Sequence, residues 1–263
     1  MLQNQSIGVF DSGVGGTTVL KEILNLLPNE NIIYYGDGGN APYGEKSTEE
    51  IQNLCCKILD FFMEKNCKAV VIACNTATAA ALDLLRTTYP IPIIGVIAAG
   101  AKKAIESTDN LKINVLATPF TVLSKAYVKE LEKLTKNISI SQEGCPEFCP
   151  MIESGWESYP QRKEILKNHI SKLSKEADTL ILGCTHYPII KGDIEDIFKG
   201  KIIDPAKETA SELKELLENR DITNTSKNIG KIDFYVTGNE KNFKIIAEKF
   251  LNFKIENIYS IKK

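Results

Sequence analysis

The sequence predicts an α/β protein built from two pseudo-symmetric domains, each with a parallel sheet, that face each other across an active-site cleft. The first observation is a pair of short apolar runs, residues 69–73 and 179–183. Neither run alternates with polar residues, which is typical of strands in a parallel sheet covered on both faces. Each ends at a cysteine, Cys74 or Cys184, followed by small polar residues. Ligands of open α/β sheets bind beyond the carboxyl ends of the strands, so we expect two half-sites facing one ligand.

The second observation is an internal repeat. Ile7 recurs as Ile113, 106 residues later in a similar strand-like segment, and Cys74 recurs as Cys184 after 110 residues. The second and fourth strand-like segments of each half follow the same two offsets. The difference of four residues between the two offsets corresponds to a small insertion. The two halves are therefore expected to share one βαβ architecture.

The first half alternates strand-like and helix-like segments. Its strands are expected at residues 6–10, 31–35, 69–73 and 91–97. The first helix has one apolar face and stops at Pro28. A glycine-rich loop at residues 36–44 leads to the second helix, which begins at a capping box formed by Ser47 and Glu50. An alanine-rich helix follows Cys74.

The second half repeats this order. Its strands are expected at residues 112–116, 138–140, 179–183 and 201–205. After the first of these strands, the spacing predicts one helix with a single apolar face, formed by Leu123, Tyr127, Leu131 and Leu134.

The tail does not fit the repeat. It is expected to form helices at residues 208–218 and 240–250 and strands at residues 231–236 and 255–261. Because the edge of each sheet needs cover, we expect the tail to return to the first half. We therefore assign residues 1–97 and 208–263 to the first domain and residues 98–207 to the second.

Composition excludes several classes of protein. Hydrophobic residues make up 43% of the chain and charged residues 25%, as in an ordinary globular protein with a core. The formal net charge of −2 gives no reason to expect a nucleic-acid partner or an anionic membrane surface. No apolar run is long enough to span a membrane. Residues 1–6 are polar and lead directly into a strand, so no signal peptide is expected. We therefore expect a cytoplasmic protein whose seven cysteines are free thiols.

The two strand-end thiols are the main candidates for chemistry. A thiol at such a position serves as a nucleophile, a metal ligand, a redox group or a general acid/base. We expect Cys74 and Cys184 each to precede a helix, whose dipole favours some thiolate. The alternative is that both are small buried hydrophobes. We assign that structural role to Cys55, Cys56 and Cys67.

The remaining cysteines and histidines make a weak case for metal. Cys145 and Cys149 are expected to be more open, but one C-x-x-x-C pair is a weak signal. Zinc is disfavoured because the chain has two histidines and no C-x-x-C pair. His169 stands alone in a predicted helix, where a surface position is the better expectation. His186 follows Cys184 by two residues and could orient or polarise its thiol.

The glycine-rich loop at residues 11–16 follows the first strand, a position where backbone N–H groups bind anions. It matches neither a Walker A loop nor a dinucleotide fingerprint, and its glycines could simply permit a tight turn. Asp11 argues against phosphate and suits an ammonium group or a carboxylate that tunes a neighbouring thiol. Glu153 could play the matching role in the second half, although a lone glutamate is more often a solvated surface residue.

Taken together, these residues resemble the glutamate racemases of the cofactor-independent aspartate/glutamate racemase superfamily. The resemblance extends from residue 7 to about residue 210. The segments that carry it are residues 7–16, Pro42-Tyr43-Gly44, residues 73–77, residues 95–97, Cys145-Pro146, Glu153-x-Gly155 and residues 182–188. Three departures are Gly38-Gly39-Asn40 before Pro-Tyr-Gly, Ala99 in place of a common proline, and Ala117 in place of a usual glycine.

The resemblance implies a set of site residues. Cys74 and Cys184 would be the catalytic acid/bases, and Asp11, Glu153 and His186 would assist them. Substrate contacts would come from the following residues: Asp11, Ser12, Tyr43, Gly44, Asn75, Thr76, Thr118, Thr121, Thr185 and His186. The resemblance further implies glutamate as substrate, a commonly dimeric state, and supply of D-glutamate for peptidoglycan.

The chemistry agrees with these implied roles. Inverting an α-carbon without a cofactor needs a base on one face and an acid on the other. Two pseudo-symmetric halves would supply those groups, so neither pyridoxal phosphate nor a metal is expected. In aspartate racemases a histidine typically follows Cys-Asn-Thr shortly, whereas this chain has Ala77 and Thr78. Glutamate is therefore the expected substrate.

Other functions stay open at this point. An aspartate racemase, or another racemase or isomerase of the same superfamily, is the main alternative. One-sided relatives such as decarboxylases and cis–trans isomerases lack or replace one cysteine, so the pair Cys74 and Cys184 disfavours them. A two-lobed amino-acid-binding protein would be secreted, which the expected lack of a signal peptide disfavours. A thiol redox protein would carry C-x-x-C, which this chain does not have.

Overall fold

The computed structural model describes residues 2–261, which form two parallel β-sheets with helices packed around them. The strands are β1 (Ile7–Asp11), β2 (Ile32–Gly36), β3 (Ala69–Ile72), β4 (Ile93–Gly95), β5 (Lys112–Ala117), β6 (Ser139–Gly144), β7 (Thr179–Gly183), β8 (Lys201–Ile203), β9 (Ile232–Val236) and β10 (Ile258–Ser260). The predicted α/β class with two parallel sheets is confirmed.

The helices follow the strands in the alternation that parallel connections require. They are α1 (Thr17–Leu26), α2 (Thr48–Glu64), α3 (Asn75–Thr88), α4 (Val96–Ser107), α5 (Pro119–Leu123), α6 (Ala126–Leu134), α7 (Phe148–Glu153), α8 (Arg162–Ser171), α9 (Lys191–Ile197), α10 (Pro205–Asn219) and α11 (Glu240–Leu251). The capping box predicted for α2 is present, with the Ser47 and Glu50 side chains each bound to the other's backbone N–H. In the part of the chain that the structure describes, no helix has the length and apolarity that a membrane span requires.

Both sheets use the same strand order, as the internal repeat predicts. The first sheet runs β10-β9-β2-β1-β3-β4 and the second β6-β5-β7-β8. The order β2-β1-β3-β4 therefore corresponds to β6-β5-β7-β8. The tail supplies β9, which pairs with β2, and β10, which pairs with β9, so it extends the first sheet as expected.

Two predicted elements are wrong. Val96 and Ile97 were expected to continue a strand, but β4 ends at Gly95 and both residues begin α4. The buried alanines that follow allow this helix to pack closely against β7 and α10. The single helix expected from Leu123 onwards is two helices, because Lys125 adopts a left-handed conformation with φ 55°.

Two residues of the predicted apolar face are exposed. Tyr127 and Leu131 are buried in α6 as expected, whereas Leu123 is 82% exposed and Leu134 is 48% exposed. Leu123 lies before the break, so the α-helical spacing no longer aligns it with α6, whereas Leu134 is the last residue of α6 and faces solvent at the end of the helix.

One apolar core connects the two sheets. It contains Val9 from β1, Val115 from β5 and Ile181 from β7, together with Ala101 from α4 and Leu213 from α10. Asp11 ends β1 and Ser12 follows it, while Cys74, Thr118 and Cys184 lie just beyond the carboxyl ends of β3, β5 and β7, respectively. The candidate site is built from these positions.

Candidate active site

A cavity of about 130 Å³ lies between the strand ends of the two sheets. Its volume is below the range of about 300–1,000 Å³ that is typical of drug-sized ligand pockets, which favours a small ligand. Most residues expected at the site line this cavity, namely Ser12, Tyr43, Gly44, Cys74, Asn75, Thr76, Thr118, Glu153, Cys184, Thr185 and His186. Asp11 and Thr121 are buried directly behind it. The site roles themselves stay predictions.

Cys74 lies at the junction between β3 and α3. Its sulfur accepts a hydrogen bond from the backbone N–H of Ala77 at 3.4 Å, and its thiol donates to Ser12 Oγ at 3.6 Å. It is thus the N-cap of α3, as the sequence indicates. Burial and the nearby Asp11 carboxylate nevertheless raise the pKa of Cys74 to about 12, and the two hydrogen bonds only moderate this rise.

Cys184 follows β7 in a different local setting. Its Sγ lies 3.4 Å from Cys149 Sγ and 3.8 Å from His186 Nδ1. The hydrogen bond with Cys149 and burial raise the pKa of Cys184 well above its ordinary value, against the lowering effect of His186. The expectation that a helix dipole favours thiolate is therefore wrong at Cys184, whereas at Cys74 the Ala77 N–H at the start of α3 does lower the pKa. At Cys184 only a short 3₁₀ turn, Tyr187–Ile190, follows, and at Cys74 burial outweighs the dipole.

His186 connects the Cys184 thiol to a carboxylate. Its Nε2 lies 2.7 Å from Glu153 Oε1, and its Nδ1 faces Cys184. Burial disfavours the charged imidazolium, but the contacts with Cys184 and Glu153 outweigh it and raise the pKa of His186 to about 10. Glu153 is consequently a partner of His186 and not a lone glutamate, although its side chain is 38% exposed, as expected of a solvated residue.

Asp11 is a buried carboxylate at the end of β1. Its Oδ1 accepts the Gly13 N–H at 2.9 Å, and its Oδ2 accepts the Thr185 hydroxyl at 3.3 Å, so it joins the two halves. Burial raises the pKa of Asp11, while the neighbouring His186 charge opposes that rise. The hydroxyl donor, Thr185, and the cation, His186, both lie in the half that carries Cys184.

Three threonine hydroxyls form a second connection between the halves. Thr76 Oγ1 at the start of α3 lies 2.9 Å from Thr118 Oγ1, which caps α5, and Thr121 Oγ1 lies 2.9 Å from Thr118 Oγ1. Nearby, the Tyr127 hydroxyl donates to Asn75 Oδ1 at 2.8 Å. This bond fixes the amide of Asn75 at the cavity, with its carbonyl oxygen already used.

Tyr43 is held by a buried network that the sequence did not indicate. Its hydroxyl donates to Asp37 Oδ2 at 2.6 Å, and Thr237 donates to Asp37 Oδ1 at 2.7 Å. Burial and Asp37 raise the pKa of Tyr43 strongly, so it stays a neutral donor. Asn40, within the segment that departs from the family pattern, donates to the same carboxylate at 3.0 Å. That departure thus supports the loop through Asp37.

The segment from Cys145 to Cys149 differs from expectation. Cys145 is buried, and only Cys149 is partly open. His169 is buried, so its expected surface position is wrong: Nδ1 lies 2.7 Å from Glu143 Oε1 and Nε2 lies 2.9 Å from Glu147 Oε1. The imidazole connects β6 to the start of α7 and thereby positions the helix that carries Cys149. Sequence spacing gave no signal for any of these contacts, because the partners come from different elements.

Comparison with known proteins identifies the family. A family model described as "Asp/Glu/Hydantoin racemase" matches residues 7–213. The chain belongs to this family. A glutamate racemase of Fusobacterium nucleatum is 49% identical over 99% of both chains.

Solved structures agree with this membership. The glutamate racemase isoform RacE1 of Bacillus anthracis is 39% identical, with a TM-score of 0.95 over 99% of this chain and 98% of the other. A glutamate racemase of Francisella tularensis, solved in complex with D-glutamate, is 38% identical, with a TM-score of 0.93 over the same shares. These two-domain relatives match nearly the whole racemase-family chain, tail included, so the resemblance drawn from its motifs is confirmed.

Proposed function

We propose that this racemase-family protein interconverts L-glutamate and D-glutamate by direct proton transfer at the α-carbon. The observation that carries the proposal is that Cys74 and Cys184, each at a strand end of a different sheet, line one small cavity. The names of the similar proteins support glutamate as the substrate. The reaction needs an acid and a base on opposite faces of one carbon, and two thiols meet that need.

The two thiols exchange roles with direction. One, as thiolate, removes the α-proton, and the other, as neutral thiol, returns a proton to the opposite face. Because both pKa values are raised, the neutral acid is supplied readily and the base must be ionised by its surroundings. The substrate ammonium group would lower the pKa of a nearby thiol. We assign Asp11 to assist Cys74, and His186 with Glu153 to assist Cys184.

The polar lining would bind the charged ends of the substrate. Asn75 and Thr76 occupy the N-terminus of α3, where backbone N–H groups and the dipole favour a carboxylate. Hydrogen bonds there would stabilise the charge that develops on the α-carboxylate as the carbanion forms. The other binding residues would be Asp11, Ser12, Tyr43, Gly44, Thr118, Thr121, Thr185 and His186.

Preference for glutamate over aspartate is part of the proposal. Ala77 and Thr78, which motivated it in the sequence, are buried within α3 and do not line the cavity. They would act through the packing of α3 rather than by contact. The direct support is the substrate in the names of the relatives and the D-glutamate bound to one of them.

The wider biological role rests on the family resemblance. We propose that the protein works as a cytoplasmic homodimer, supplies D-glutamate for peptidoglycan, and needs neither cofactor nor metal. We further propose that residues 1–97 with 208–263, and residues 98–207, move as two domains. Their closure would exclude water from the carbanion.

The test follows the circular dichroism of L-glutamate after addition of purified protein, without pyridoxal phosphate and with EDTA present. The expected result is decay of the signal to zero, and the same from D-glutamate, with little change for L-aspartate. Activity that needs zinc after EDTA treatment would contradict the cofactor-free mechanism. Comparable turnover of L-aspartate would contradict the substrate preference.

A further inference from the structure

Cys149 is not used by the proposed reaction, yet its thiol contacts a thiol that is. Its Sγ lies 3.4 Å from Cys184 Sγ, and His186 Nδ1 lies 3.8 Å from Cys184 Sγ. All three donor atoms lie within 4.8 Å of one another, and all three residues line the cavity. Two soft sulfur donors and one imidazole nitrogen are thus collected at one wall.

Two of these three separations are close to those of a tetrahedral metal site. Zinc binds thiolate sulfur at about 2.3 Å and imidazole nitrogen at about 2.0–2.1 Å. A tetrahedral angle then places two sulfurs about 3.8 Å apart and sulfur and nitrogen about 3.5 Å apart. The observed 3.4 Å and 3.8 Å differ from these values by a few tenths of an ångström. Side-chain rotation alone can make up such a difference.

His186 is oriented as a metal ligand usually is. Its Nε2 is bound to Glu153 Oε1 at 2.7 Å, which leaves Nδ1 directed at the sulfurs. A carboxylate on the far nitrogen of the imidazole fixes the ring and increases its basicity, as in many zinc sites. Glu153 and Cys149 lie on the same helix, α7, which is anchored at its start by His169. The three donors are therefore placed before any ion arrives.

We propose that Cys149, Cys184 and His186 form a site for a thiophilic divalent cation such as Zn²⁺, which inhibits the enzyme by occupying Cys184. The fourth coordination position would face the cavity and take water. Binding displaces the protons of both thiols and any proton on His186 Nδ1 to the buffer, with no oxidation or reduction. The inhibition rests on the proposed racemase function, whereas the binding of the ion does not.

Binding is tested by titrating the metal-free, fully reduced protein with Co²⁺ as a spectroscopic substitute for Zn²⁺. Thiolate-to-cobalt charge transfer and tetrahedral d–d bands are expected, and Zn²⁺ should abolish both. In Cys149→Ala the affinity should fall at least ~10–100-fold, the scale of losing an important metal-site partner. The matched control is Cys145→Ala, which removes a buried thiol of the same cavity outside the donor set and should keep the wild-type affinity.

Inhibition is measured next, with each variant compared with its own activity in EDTA. Zn²⁺ should inhibit wild type competitively with glutamate and reversibly on chelation, and Cys149→Ala should need at least ~10-fold more Zn²⁺. Absence of thiolate–cobalt bands in wild type, or equal Zn²⁺ affinity in Cys149→Ala, would overturn the proposal. Inhibition that a reductant reverses but EDTA does not would assign the pair to a disulfide and overturn it as well. Cobalt binding without any racemisation would refute only the racemase function.

Discussion

At the wall of the cavity that carries Cys184, side chains affect one another through direct contacts. The Glu153 carboxylate holds the His186 imidazole, and the imidazole faces the Cys184 sulfur. With the pKa of His186 raised to about 10, the ring is charged at neutral pH. A charged imidazole beside a thiol favours the thiolate, so His186 opposes the rise that Cys149 and burial impose on the pKa of Cys184.

Replacing Glu153 by Gln should lower the pKa of His186 from about 10 towards its ordinary value of 6.5, because the amide removes the charge that favours the imidazolium. The raised pKa contributes stability in full below about pH 6.5 and loses it as the pH rises towards 10, so this contribution should shrink in the variant. NMR titration of the His186 ring in the wild type and the variant measures the shift. An unchanged His186 titration would refute the role of Glu153.

Gly15 tests how closely the two halves approach. A Cβ at this position would lie 2.4 Å from Thr185 Oγ1 and 2.5 Å from His186 Nδ1. Gly15→Ala should therefore displace His186, lower kcat by at least ~10-fold, and reduce the free energy of unfolding by about 1–3 kcal/mol. In Gly192→Ala on α9 the new Cβ meets no heavy atom within 4 Å, so this control should be neutral or slightly stabilising. Equal behaviour of the two variants would contradict the close approach.

At the scale of elements, buried polar contacts hold the tail against the first half. Lys68, just before β3, forms an ion pair with Glu30 Oε2 at 2.6 Å and donates hydrogen bonds to Ile222 O at 2.7 Å and to Gln3 O at 2.9 Å. Glu30 in turn accepts the Asn224 N–H at 2.7 Å. These contacts lie at the end of the sheet opposite the cavity, where they fix the chain that follows α10.

Lys68→Met should destabilise the protein by about 3–5 kcal/mol, because it leaves the Glu30 carboxylate buried without its cation. The matched control is Lys112→Met, which breaks an exposed pair with Glu176 and should cost at most about 1 kcal/mol. Urea unfolding of both variants measures the difference. A loss below 1 kcal/mol for Lys68→Met would show that this ion pair does not anchor the tail.

Helices and strands could be predicted from the sequence where residues close together in the chain determine them. The strand ends at Cys74 and Cys184 and the capping box of α2 could be predicted because apolar runs and caps act over a few residues. The left-handed Lys125 was missed because its neighbours fit one continuous helical spacing. The partners of His169 and Cys149 were missed because they lie on other elements, and contacts across the fold leave no signal in sequence spacing.

The whole molecule uses one architecture twice, and residues of both halves line one cavity. Equivalent strands β3 and β7 bring Cys74 and Cys184 to a shared cavity, and Asp11 with Thr185 joins the halves. Because the halves are related by the repeat, their thiols are suited to approach a substrate carbon from different sides. The central claim is that each thiol serves one face of the α-carbon.

The most direct test uses a glutamate analogue with a leaving group on its β-carbon. Elimination needs only the base that removes the α-proton, so a variant with one working cysteine should still eliminate from one enantiomer. We assign Cys184 to L-glutamate and Cys74 to D-glutamate. Serine is a much weaker acid and base, so Cys74→Ser and Cys184→Ser should each lose racemisation in both directions.

The measurement is elimination from both enantiomers of the analogue by both variants in deuterated water, with wild type as reference. Cys74→Ser should eliminate from the L enantiomer alone, and Cys184→Ser from the D enantiomer alone. Equal elimination of both enantiomers by either variant would contradict the assignment of one thiol to each face.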